Sequence, residues 1–110
     1  MREIVVALST LPAEFDADSL ATALIDLGLA ACVTILPGVQ SVYKWDGKVE
    51  SSREQQLVIK TTRDLVGALW TAVKARHPYG VPEFIVLPIV EGNPDYLRWV
   101  GESVSPERLG

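Results

Sequence analysis

Apolar and polar positions along the chain change their spacing several times, and each change marks an element. Ile4 to Leu8 is a short apolar run rich in β-branched residues, which predicts a buried first strand. Leu20, Leu24 and Leu27 then share one helical face behind Asp16 and Asp18, either of which can cap that helix, and Gly28 supplies the stop. Ala31 to Leu36 returns to a strand pattern and is interrupted by Pro37-Gly38. Val39 to Trp45 continues it, with Val39, Ser41, Tyr43 and Trp45 on one side. Asp46-Gly47 is a two-residue hairpin signal. The return strand, Lys48 through Ile59, is polar in its first half and apolar from Leu57 onward.

Thr61 or Thr62 is placed to cap a second helix, whose Leu65, Leu69, Ala72 and Val73 recur at helical spacing. That helix must stop at or near His77, because Pro78 disfavours the α region in the residue before it. Phe84 to Val90 reads as a last strand, marked as an edge or bulged one by Pro88. Asn93-Pro94 opens a terminal helix that takes its apolar contacts from Tyr96, Trp99 and Val100 and ends at Ser105-Pro106. The predicted order is β-α-β-β-α-β with a helix appended, an α+β chain of the ferredoxin-like kind.

The hairpin around Asp46-Gly47 does not suit a lone subunit. Its outer half carries Gln40, Lys44, Glu50, Ser51, Ser52, Arg53 and Glu54, and a two-stranded ribbon without a buried face is marginal in water. Yet Tyr43 and Trp45 stand on it and need cover, so the hairpin is expected to pack against another subunit.

Composition narrows the classes. The 110 residues suit a single domain spanning the whole chain, 48% hydrophobic and 22% charged. A net charge of −4 gives no electrostatic footprint for nucleic acid or an anionic membrane. One cysteine, Cys32, excludes an internal disulfide, and its apolar neighbours predict a small buried hydrophobe rather than a reactive thiol. The apolar start is too short for a secretory leader, and no run approaches the ~20 residues of a membrane span. A cytoplasmic location is expected.

The run Arg76-His77-Pro78-Tyr79-Gly80-Val81-Pro82-Glu83 carries the candidate chemistry. His77, the only histidine, is either a ligand or proton acceptor in a cleft with Tyr79, Glu83 and Lys60, or a partner for the last carbonyls of its own helix. Glu50, Glu54 and Arg53 read as ribbon solubility, and Asp16 and Asp18 as helix caps, ahead of hard oxygen ligands. No phosphate-binding glycine loop, Gly-x-Ser-x-Gly or His-Glu-x-x-His is present, so an enzyme is not expected. A small enzyme would have to use His77 and Glu83 as its acid–base pair.

Several blocks resemble the CutA family, the divalent-cation tolerance proteins. They are Leu29-Ala30-Ala31-Cys32-Val33, Ile35-Leu36-Pro37-Gly38-Val39, Ser41 through Lys48, and Ile59-Lys60-Thr61-Thr62. Further on come His77 through Glu83, Leu87-Pro88 and Gly92 through Trp99. Together they cover the chain from about Ile4 to Val104. The resemblance implies a ferredoxin-like subunit in a homotrimer, long hairpins embracing neighbours, and kinship in architecture with PII signalling proteins. It implies a metal ion or small ligand at clefts between subunits, or, as the alternative, a PII-like signalling or scaffold module acting through protein partners.

The copper site proposed for some bacterial members uses a cysteine and two adjacent histidines. Those positions here are Ser9, Arg76 and His77, and only His77 is retained. A serine hydroxyl is a poor copper ligand and a guanidinium is none. Any Cu(II) or other divalent cation is therefore expected to bind weakly, centred on His77, and to be lost on acidification.

Overall fold

The computed structural model describes residues 2–105 and has the element order expected. Strand β1 spans Ile4–Pro12, helix α1 Ala17–Asp26, β2 Cys32–Trp45, β3 Lys48–Thr62, α2 Val66–Arg76, β4 Ile85–Pro88 and α3 Pro94–Ser103. The strands make one antiparallel sheet in the order β2-β3-β1-β4. Alternation then divides the side chains between two faces. Ala7, Leu11, Leu57 and Ile59 point toward α1 and α2, where they meet Leu20, Leu24, Leu69 and Val73 in a dry core.

The opposite face is only partly covered. α3 crosses it at one end, where its buried Val100 and the close approach of Gly101 to Ile4 dock it. Arg2 fastens that end by donating to the carbonyls of Gly101 and Val104, to the Thr62 hydroxyl and to Asp64. Beyond α3 the face is apolar and open, with Leu36, Ile85 and Leu87 exposed around half-buried Val6, Leu8 and Val58.

Local signals explain most boundaries. Asp16 accepts from the Ser19 amide and starts α1. Gly28, at φ 75°, ends it: the Gly28 amide bonds the Ile25 carbonyl and the Leu29 amide the Leu24 carbonyl, the paired closure that a left-handed glycine allows. Asp46 and Gly47, at φ 52° and 76°, make the tight hairpin turn. Pro37-Gly38 is a bulge: one extra residue of β2 lies between the pairs Leu36–Gln56 and Val39–Glu54, with Gly38 at φ 70°. Beyond Glu54, β1 no longer flanks β3, so the outer hairpin projects as a two-stranded ribbon with Val42, Tyr43, Trp45 and Val49 exposed.

Four expectations need correction. Thr61 and Thr62 do not cap α2, because β3 runs on to Thr62 in register with β1. The Thr61 hydroxyl donates to the Leu29 carbonyl, and a short 3-10 turn, Arg63–Leu65, leads into the helix instead. β4 stops at Pro88, short of Val90; the Ile89 amide still reaches the Ile4 carbonyl at 3.3 Å, so the amide that Pro88 lacks falls on the outer edge of the sheet. Of the three residues expected to anchor α3, only Val100 is buried; Tyr96 and Trp99 are exposed and pair with each other at 5.6 Å. That helix ends at Ser103, and Pro106 lies outside the described residues.

Candidate functional site

α2 ends where Pro78 requires, with His77 already extended at φ −78°, ψ 136°. The chain then turns across the end of β1 and the middle of β3, and every polar side chain of the turn ties it down. β4 pairs with β1 only as far as Leu8, which leaves the Thr10 carbonyl without a strand partner on that side. His77 supplies one. Its Nδ1 accepts the Tyr79 amide at 3.1 Å, so the proton sits on Nε2 and is donated to the Thr10 carbonyl at 2.7 Å. His77 therefore bonds β1 and its own loop, not the last carbonyls of its helix. Both ring nitrogens are engaged within the chain.

Tyr79 stacks at a tilt on His77, with ring centroids 5.0 Å apart, and its hydroxyl donates to Glu54 at 2.7 Å. Glu54 is 6% exposed. Burial, then the Glu54 carboxylate, pushes the Tyr79 hydroxyl well above the usual tyrosine range and keeps it a donor. Gln56, the next residue of β3 on the same face, donates to the Ser9 carbonyl at 2.8 Å and to the Glu83 carboxylate at 3.4 Å. The buried Ser9 hydroxyl donates to the Glu83 backbone carbonyl at 2.7 Å. Gln55, on the other face, holds the far end of β1 through the carbonyls of Pro12 and Phe15.

The structure thus gathers His77, Tyr79 and Glu83, as expected, and adds Ser9, Thr10, Glu54 and Gln56. Lys60 is not among them. It sits four residues along β3 from Gln56, bonded to the Thr34 hydroxyl and 3.6 Å from the Cys32 sulfur. Cys32 itself is half-exposed, contrary to the buried position expected: alternation turns it toward the open face, beside Tyr96. Burial and, after it, the Cys32 sulfur push the Tyr96 hydroxyl upward. Arg76 bonds the Ala72 carbonyl of its own helix.

Glu54 reads from sequence as ribbon solubility, but its pairing with Pro12 at the end of β1 brings it beneath the loop, where Tyr79 bonds it. Its one legible signal is its place in the alternation 54, 56, 58, 60, which puts a carboxylate on the same face as Val58. Thr10 left no signal, because its contribution is a backbone carbonyl.

Chemically the cluster offers two carboxylates, a protonated phenol and an amide, a set of hard oxygen groups, with one imidazole. Among the described residues no three His, Cys, Asp or Glu side chains are grouped to hold a metal ion. His77 and Glu83 share no hydrogen bond, and the Ser9 hydroxyl is directed at a backbone carbonyl.

Comparison with known proteins agrees with these elements. The family model for CutA1 divalent ion tolerance protein matches residues 5–103. The chain belongs to that family. The divalent-cation tolerance protein CutA of Thermus thermophilus is 48% identical over 98 residues, covering 89% of this chain and 95% of that protein. Its counterpart in Yersinia pestis is 46% identical over 100 residues, covering 91% and 84%. Among solved structures, CutA1 from Oryza sativa superposes with a TM-score of 0.91 at 45% identity, covering 96% of each chain. The Thermus thermophilus protein superposes at 0.89 with 46% identity, covering 93% of this chain and 99% of that one. Among the described residues no helix is long and apolar enough to cross a membrane.

Proposed function

We propose that the chain works as a ferredoxin-like subunit of a homotrimer, without catalysis, and holds a divalent cation or small ligand at clefts between subunits in the service of metal tolerance. The observation that carries this reading is the buried Glu54 carboxylate, bonded to Tyr79 beside His77 and Glu83, at the rim of an uncovered apolar sheet face. Covering that face with neighbouring copies would turn the rim into a cleft and bring in the further ligands that one chain lacks. Lys60, on the same face, would line such a cleft from another subunit.

Because His77 uses both nitrogens, a metal ion bound there must replace either the Thr10 or the Tyr79 bond, which fits weak Cu(II) binding. Nucleic acid and membrane are not partners in this reading, and a cytoplasmic site of action accords with it. The exposed hairpin tip, with Trp45 and Val49, favours one second reading: a PII-like signalling or scaffold module working through a protein partner. Calorimetric titration with Cu²⁺, Zn²⁺ and nucleotides divides the two. Metal heats that weaken in Glu54→Gln support the first; nucleotide heats without metal heats support the second.

A further inference from the structure

On the helical side of the sheet, α2 and the segment leading into β4 leave a groove of about 440 Å³. It is lined by Val66, Gly67 and Trp70 of α2 and by Pro82, Phe84 and Val86. Those last three alternate with Glu83 and Ile85, so the segment turns one side to the groove and the other to the open sheet face. This volume falls within the ordinary range of small-molecule sites.

The walls select for shape. Trp70 and Phe84 pack with centroids 4.9 Å apart and planes tilted by 37°, and both rings line the groove. Gly67, one turn before Trp70, leaves open space where any other residue would project: a Cβ built there meets nothing within 4 Å. A flat group can slide over the helix at this point and stack on the indole.

The charges select for an anion. Lys74, one turn beyond Trp70, holds its Nζ 5.8 Å from the indole centroid and enters no ion pair among the described residues. The nearby charges are directed elsewhere: Glu83 to Gln56, Arg63 to Glu3, and Asp64 to Arg2. The groove therefore presents aromatic walls, with the Lys74 ammonium beside it over the Trp70 ring.

We infer that this groove binds a planar aromatic carboxylate, its ring against Trp70 and Phe84 and its carboxylate on Lys74. The test is titration of the native protein with indole-3-acetate, followed by nuclear magnetic resonance at the Trp70 indole N–H, which Trp70→Phe identifies by its loss. A saturable shift is expected, together with weaker binding of the neutral indole-3-acetamide. Lys74→Gln should weaken acetate binding by about fivefold, the scale of an exposed charge contact, and leave the acetamide unchanged. Gly67→Leu, which improves helix propensity and fills the open space, should abolish binding of both. The inference is overturned by the absence of a saturable shift, by equal affinity for acetate and acetamide, or by binding that survives Gly67→Leu. A Trp70 resonance that moves with protein concentration alone would overturn it too, since a second copy would then occupy the groove.

Discussion

Tyr79→Phe removes one hydroxyl and leaves Glu54, 6% exposed, without the donor that sits 2.7 Å away. A hydrogen bond to an ionised group contributes roughly 1.5–3 kcal/mol net, and the half-buried position of Tyr79 lets water recover part of it, so a loss of about 1.5 kcal/mol is expected. In urea, at one fixed protein concentration, the unfolding midpoint should fall by about 1 M with the slope unchanged. The sign of the pH dependence follows from the upward shift at Tyr79. The folded chain favours the neutral hydroxyl, so the bond contributes fully below the ordinary tyrosine value of 10.0 and is lost as pH climbs beyond it. The destabilisation by Tyr79→Phe should therefore shrink in strongly alkaline buffer. Combined with Glu54→Met, the double variant should lose less than the sum of the singles, with a coupling of about 1 kcal/mol or more. Additive losses, or a Tyr79→Phe variant within about 0.5 kcal/mol of the parent, would refute the clasp.

Four further outcomes are expected. Light scattering at micromolar concentration should give three times the 12.0 kDa of one chain. Replacing Ser41–Ser52, which face each other across the ribbon, by a tight turn should dissociate the assembly; a shortened chain that stays trimeric removes the hairpin as its clasp. Asp64 is held below its ordinary value of 3.8 by the Thr62 hydroxyl first and by Arg2, against the opposing pull of burial. That contribution is present above pH 3.8 and lost as the pH falls through the depressed value, so Asp64→Asn should cost no more than about 1 kcal/mol at neutral pH and nothing in strong acid, read by urea unfolding at both. Cys32 on the open face should resist thiol reagents in the native assembly and react once subunits are dissociated by dilution; rapid labelling of the intact assembly would place it outside the interface.

Legibility in the sequence followed the range of the interaction. The stop of α2 at His77, the interruption of β2 at Pro37-Gly38, the Asp46-Gly47 turn and the Asn93 cap each depend on backbone preferences of one or two residues, and all can be read in advance. The grouping of His77, Tyr79 and Glu83 was legible because two prolines confine them to one short loop. Glu54 and Gln56 were not, since they join the site only through the long-range register of β3 against β1. Within one chain Lys60 stands apart from the loop for the same reason, since its rung of the sheet pairs it with Val6 and Cys32. Thr62 looked like a helix cap, and pairing with Ile4 claimed it for the strand instead.

The central claim, that a divalent cation is held at the cluster beneath the His77 loop, is tested most directly by paramagnetic broadening. Substoichiometric Cu²⁺ added to the isotope-labelled protein should first erase the amide signals of Glu54, Gln56, His77, Tyr79 and Glu83, weakly and reversibly, and His77→Ala should spare them. Early, tight broadening at Glu50 and its neighbours on the hairpin, unchanged in His77→Ala, would contradict the claim and move the site to the ribbon carboxylates.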